Sequence, residues 1–207
     1  MLKLVLFDFD GVLVDSLVVY EETVASCLAA IGSDVVKTRE DFLALFDDNF
    51  YEALSLRGVD LLAFAEKSEP ILGAIDVRRI IPWDEVIASV RAVGKDVVII
   101  SSNSAAAIAA ILEHWCVGAF CQEVLGSEFL HSKKEKIAYA MEKFGAKKDE
   151  TIYIGDTVGD IKEARLAGVK VMAVTWGWHE KKCLAMARPD FLVDTPAAML
   201  SVLQGEG

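Results

Sequence analysis

Hydrophobic and polar positions along the chain fall into two alternating rhythms. Short runs dense in Val, Ile and Leu occupy residues 3–8, 96–101, 122–125, 151–154, 169–175 and 191–193. Between most of them lie longer stretches whose apolar residues recur every three or four positions, the spacing of a helix with one buried face. Continuous apolar runs belong to strands covered on both sides, so the alternation predicts an α/β fold, a parallel sheet between layers of helices. Gly94, Gly145 and Gly168 each follow a helical stretch, where glycine supplies a left-handed stop.

One stretch breaks the alternation. Residues 16–81 hold no convincing strand, only helical pieces. Leu17, Tyr20, Val24, Leu28 and Ile31 step by three or four residues and stop at Gly32. A second piece opens at Thr38 with Phe42, Leu45 and Phe46 on one side, and later pieces are bounded by Gly58, Pro70 and Pro82. An all-helical insert after the first strand predicts a small accessory domain, 16–81, carried by a core of 1–15 and 82–207.

Composition narrows the class. At roughly 150 residues per domain, 207 residues suit one core with an insertion, large enough to fold without disulfides or structural metal. The net charge is 21 − 32 = −11, and the Lys and Arg are scattered, which argues against nucleic acid as a partner. Cys27, Cys116, Cys121 and Cys183 form no CxxC pair and read as buried reduced thiols. Asp8, Asp10 and Asp15 interrupt the apolar N-terminus before it reaches signal or membrane-span length, so the expectation is a cytoplasmic protein that does not engage a membrane. His114, His131 and His179 are too scattered for a metal triad and read as surface or packing residues.

The first strand runs into Phe7-Asp8-Phe9-Asp10-Gly11. Alternation along an extended segment sends Asp8 and Asp10 to one side, where two carboxylates repel unless a cation sits between them. A hard divalent ion such as Mg²⁺ satisfies them; turn residues before Gly11 are the alternative. Asp156 and Asp160 follow another strand in Gly155-Asp156-Thr157-Val158-Gly159-Asp160, at the strand end where open α/β sheets bind ligands, although Asp160 also suits a helix N-cap. Ser101-Ser102-Asn103-Ser104 ends a third strand and offers hydroxyls, an amide and helix N-terminal N–H groups to phosphate oxygens, or simply an N-cap at Ser102 or Ser104. Lys133-Lys134-Glu135-Lys136 heads a helix whose dipole opposes lysine, so one of them serves a specific task or the run is a solvated first turn.

In order, these elements resemble the haloacid dehalogenase superfamily over essentially the whole chain. D-F-D-G-V-L-V-D-S resembles its first motif, Ser102-Asn103 its second, the helix-heading lysine its third and G-D-T-V-G-D its fourth. The resemblance implies a Rossmann-like core with a C1-type helical cap. It implies Asp8 as nucleophile, Asp10 as general acid/base, Ser102 and Asn103 as phosphate binders, and Lys133 as the neutralising cation. Asp8, Asp10 and Asp156 would hold Mg²⁺, with Asp160 in support. The chain lacks the K-P-x-P found in many relatives; Lys133 fits the shorter K-x-E-x-I pattern, with Lys134 the neighbouring alternative.

Those roles imply hydrolysis of a small phosphate monoester through an aspartyl phosphate, in a monomer or homodimer. Trp176-Gly177-Trp178 resembles a loop of phosphoglycolate-phosphatase-like relatives, which makes phosphoglycolate the first substrate to expect. Asp48-Asn49-Phe50 and Arg57 are candidate substrate contacts in the insert, or else part of a solvated face. A sugar-phosphate mutase would use the same aspartates. A receiver-type phosphoacceptor module would lack both the helical insert and the late G-D-x-x-x-D.

Overall fold

A computed structural model describes residues 1–205. Strand β1 (Leu4–Phe7) leads into a short β2 (Val14–Asp15). Helices α1 (Leu17–Ala30), α2 (Arg39–Leu43), α3 (Phe50–Leu56) and α4 (Leu61–Leu72) form the insert, and β3 (Ile81–Pro82) returns from it. The rest alternates: α5 (Asp84–Arg91), β4 (Asp96–Ile100), α6 (Ala105–His114), β5 (Glu123–Leu125), α7 (Lys133–Lys143), β6 (Thr151–Gly155), α8 (Val158–Ala167), β7 (Lys170–Val174), α9 (Lys181–Met186), β8 (Phe191–Val193) and α10 (Pro196–Gln204).

The main sheet has the order β5-β4-β1-β6-β7-β8, every pairing parallel. Alternate residues of each strand feed two cores, as the two-residue period of an extended chain requires. Leu4, Leu6, Val98, Ile100 and Tyr153 pack beneath α7, α8 and α9 through Ile137, Ile161 and Leu184. Val5, Phe7, Val97, Ile99 and Ile154 pack on the opposite face with Val86, Ile108 and Met199 of α5, α6 and α10. Having added β4 and β5 on one side of β1, the chain crosses to add β6, β7 and β8 on the other. Such a reversal opens a crevice at the C-terminal strand ends, and register sets Phe7 level with both Ile99 and Ile154.

Residues 16–80 contain no strand, and the two ends of the insert are joined by the antiparallel pair Val14↔Pro82 and Asp15↔Ile81. That pair straddles the expected return point, because the segments leaving and re-entering the core run side by side and satisfy each other's backbone groups. Val24, Cys27 and Leu28 of α1, Phe64 of α4 and Phe42 of α2 continue the α5/α6 face of the sheet core into the insert.

Two expectations are corrected. Pro70 does not bound a helix but lies inside α4. Only the N–H that would bond back to residue 66 is lost there, two residues before the helix ends, while Phe64 and Ser68 stay buried on its inner face. Of the four thiols only Cys27 is buried; Cys116 is exposed just past the end of α6, and Cys183 is exposed within α9, which buries Leu184 instead. No described helix is long and apolar enough to cross a membrane.

Candidate active site

Loops at the C-terminal ends of β1, β4 and β6 meet under the insert and enclose a cavity of about 750 Å³, its mouth included. That size suits a small molecule. Asp8, Asp10, Ser101, Ser102, Asn103, Lys133 and Asp156 line its base, and Tyr20, Phe46, Phe50 and Phe64 of the insert roof it.

Asp8 is the first residue past β1, its N–H still bonded to the Ile154 carbonyl at 2.9 Å. Lys133 Nζ lies 2.5 Å from Asp8 Oδ2 and 2.5 Å from Asp160 Oδ1. Lys133 is the first residue of α7, whose N-terminus repels a cation; the Glu163 carboxylate offsets this by accepting from the Ser132 hydroxyl and the Lys133 N–H at 3.2 and 2.8 Å. Burial draws the Lys133 ammonium down, but Asp160 and Asp8 together outweigh it and hold its pKa well above the ordinary lysine value. Lys134, one position round the helix, is exposed. Lys136 is the lysine that sequence reasoning overlooked: it is fully buried and donates to the Ser101 carbonyl at 2.6 Å, and desolvation lowers its pKa to about 8. Its i, i+3 relation to Lys133 on one helix face was the available signal.

Oxygen atoms of Asp8, Asp156 and Asp160 all lie within 4.8 Å of one another. Asp156 is held by the Trp178 N–H at 2.6 Å, and its other oxygen, buried, has no partner. Asp160 is not the N-cap of α8. Thr157 takes that place, and Asp160, three residues on, completes the capping box by accepting from the Thr157 backbone N–H at 3.1 Å while its own N–H donates to the Thr157 hydroxyl at 3.2 Å. Tyr153 also donates to Asp160, at 3.1 Å.

Asp10, expected among the metal ligands, keeps its carboxylate outside that group and accepts instead from Asn103 Nδ2 at 3.3 Å. In the turn that follows, Gly11 takes φ +75°, and a Cβ on it would meet the Asp156 carboxylate. Asn103 also donates to the Tyr20 hydroxyl of α1. Burial is the main force pushing Asp8 up to about 7 and Asp10 up to about 6, against lowering by Lys133 for the first and by Ser16 and Asn103 for the second. Burial likewise puts Asp156 well above its ordinary value. Lys133 is the one cation lining the cavity among the described residues. A cluster of buried carboxylates with a single ammonium lacks positive charge, and its all-oxygen donor set fits a hard divalent cation such as Mg²⁺.

The remaining sequence candidates divide. Ser102 lines the cavity and receives the Tyr51 hydroxyl on its carbonyl at 3.3 Å, while Ser104 is the N-cap of α6. Asn49 caps α3 and reaches from the insert to the His131 carbonyl (3.1 Å) and Glu163 (3.2 Å). Phe50 lines the cavity, but Asp48 turns out to Lys162, and Arg57 turns away to the carbonyls of Ala53 and Ala44. Trp178 lines the cavity, and the Trp176 indole donates to the Val12 carbonyl. His179 is buried between the Val158 N–H and the Leu43 carbonyl, a packing role across insert and core.

Fold and site together define an α/β protein with an aspartate-centred pocket at the switch point of its sheet, under a helical insert. Residues 5–174 match the model of the haloacid dehalogenase-like hydrolases, and the chain belongs to that family. It is 26% identical to a phosphoglycolate phosphatase of Synechococcus elongatus over 98% of its own length and 97% of the relative's. It is 26% identical to the pyrophosphatase PpaX of Listeria innocua over 97% and 96%. A haloacid dehalogenase-like family hydrolase from Streptococcus pneumoniae has the same fold, with a TM-score of 0.80 at 18% identity, over 98% of this chain and 99% of the other.

Proposed function

We propose that the chain is a Mg²⁺-dependent phosphatase acting on small phosphate monoesters through an aspartyl phosphate on Asp8. One observation carries the reading: Lys133 Nζ is held 2.5 Å from Asp8 at the base of a cavity that Asp10, Ser102 and Asn103 also line. Asp8 attacks phosphorus, and Lys133, with the Ser102 and Asn103 groups, stabilises the charge that builds on the phosphoryl oxygens. Asp10, whose raised pKa of about 6 suits a proton carrier near neutral pH, protonates the departing alcohol. It then removes a proton from the water that hydrolyses the aspartyl phosphate. Asp8, Asp156 and Asp160 are the residues that would hold Mg²⁺, which supplies further charge neutralisation at the phosphoryl group.

Residues 16–81 act in this reading as a cap that excludes water and selects substrates by size. The mutase alternative needs a second cationic site for a bisphosphate, and Lys133 is the one cation among the described cavity residues. We place the protein in the cytoplasm on its chain chemistry. p-Nitrophenyl phosphate should release phosphate with Mg²⁺ and not with EDTA, and Asp8→Asn should abolish the release; appreciable turnover by Asp8→Asn or in chelator rejects the mechanism.

A further inference from the structure

The cavity has two chemically different ends. Its base carries the aspartates, Lys133 and the Ser102-Asn103 turn, and its roof is built from Val24, Phe46, Phe50, Phe64 and Leu72 of the insert. The aromatic rings interlock: Phe46 stacks on Phe50 at 5.3 Å, Phe50 meets Phe64 at 6.2 Å, and Phe46 meets Trp178 edge-on at 4.8 Å.

No cation of the insert faces this space. Lys37 pairs with Asp34, Arg39 with Glu21, Arg78 with Asp76 and Arg79 with Glu22. Arg57 is spent on two carbonyls, and Lys67 is exposed on α4. In the core, Lys133 serves the phosphoryl end, and Lys136 lies behind Ser101 outside the lining. A carboxylate on the alcohol portion of a substrate would therefore be buried against hydrocarbon with no counter-charge, which is unfavourable. Of the insert's polar side chains that line the cavity, Tyr20, Thr23 and Tyr51 have their hydroxyls bonded to Asn103, the Val19 carbonyl and the Ser102 carbonyl. Ser68 of α4 also lines the cavity and is 3% exposed, and its Oγ has no hydrogen-bond partner, with only the weakly bonding Cys27 thiol beside it.

We infer that the preferred substrate is the phosphate ester of an uncharged, largely apolar alcohol carrying one hydrogen-bonding group at its far end, received by Ser68. The inference rests on the phosphatase reading and departs from phosphoglycolate, whose alcohol carries a carboxylate. Apolar surface on the ligand replaces water along the aromatic roof, and a distal hydroxyl satisfies the otherwise unpaired Ser68.

A series of primary-alcohol esters of equal reach tests it: n-butyl phosphate, 4-hydroxybutyl phosphate and 3-carboxypropyl phosphate, beside 2-phosphoglycolate and phosphocholine, all with Mg²⁺. The neutral esters should exceed both carboxylates in kcat/KM by about a hundredfold, from the unpaired buried charge. The 4-hydroxybutyl ester should exceed the butyl ester by about fivefold, the worth of one net hydrogen bond. Ser68→Ala should reduce that last ratio to one, and Val24→Arg should raise the carboxylates relative to butyl phosphate. Preference for 2-phosphoglycolate, 3-carboxypropyl phosphate or phosphocholine overturns the inference and leaves the phosphatase reading standing, provided p-nitrophenyl phosphate is turned over. Should Val24→Arg not fold, the wild-type ranking and Ser68→Ala still decide. Failure of every ester, p-nitrophenyl phosphate included, removes both readings.

Discussion

Lys133 and Asp8 meet at 2.5 Å although 125 residues separate them in the chain. The contact joins the end of the first strand to the start of α7, and the same ammonium reaches Asp160 at the start of α8. Three elements are thus tied at one atom, at the buried base of the cavity.

The tie makes the two neighbouring lysines unequal. Lys133→Met leaves Asp8 and Asp160 buried without their cation, and losing one partner of such a group costs about 3–5 kcal/mol. Its phosphatase activity should fall by about 10²–10³-fold, the usual loss on removing a charge-stabilising group. Lys134→Met alters an exposed side chain and should stay within about 0.5 kcal/mol of wild type. Equal effects of the two substitutions in denaturant melts and p-nitrophenyl phosphate assays would reverse the assignment.

Asp8 and Asp10 have native pKa values raised, chiefly by burial, from 3.8 to about 7 and about 6, and Asp156 is raised as well. Between pH 4 and 7 the native protein therefore binds more protons than the unfolded chain, so stability falls as pH rises through that window. Asp160, lowered by Lys133 against the pull of burial, acts in the opposite sense but below that range. Metal-free protein should be less stable at pH 8 than at pH 5, Mg²⁺ should stabilise it more at pH 8, and Asp8→Asn should flatten the metal-free profile. A rising metal-free profile, or an equal Mg²⁺ increment at both pH values, contradicts the charge deficit.

Asn49 does two jobs that substitutions can separate. Its oxygen caps α3 by accepting from the Tyr51 and Glu52 N–H groups, while its amide donates to the His131 carbonyl and Glu163. Asn49→Ala loses both and should cost about 1–2 kcal/mol through the cap. Asn49→Asp keeps the cap but sets a carboxylate against Glu163, so it should raise KM with a smaller loss of stability than Asn49→Ala. An unchanged KM in both variants would show that the insert does not need this link to close.

Gly177 owes its identity to close approach. A Cβ there would fall on the Asp156 side chain and the Gly11 carbonyl. Gly177→Ala should destabilise by about 1–3 kcal/mol, the range for forcing a methyl group into packed space. It should also weaken the thermal stabilisation by Mg²⁺, because Asp156 is the group displaced. Wild-type stabilisation by Mg²⁺ would show that Asp156 tolerates the shift.

What the sequence determined by itself is local and periodic. Apolar runs of strand length mark β1, β4, β6 and β7, and the residues just beyond a strand in a parallel sheet lie at its ligand-binding edge, so Asp8, Asp156 and the Ser102-Asn103 turn were legible. The strand-free insert was legible for the same reason. Tertiary structure decided what depends on direction in space. Lys133 and Lys134 are neighbours in the chain, but successive residues of a helix point about 100° apart, and the docking of α7 on the sheet turns one inward and the other to solvent. Asp160 joins the carboxylate group because the capping box of α8 holds it there, at the end of β6. Pro70 is accommodated because α4 packs on α1, an energy that no local rule contains. Counting six cations in the insert was possible from sequence; that none of them lines the cavity follows only from the tertiary structure, in which five are held by acidic or carbonyl partners and Lys67 is exposed on α4.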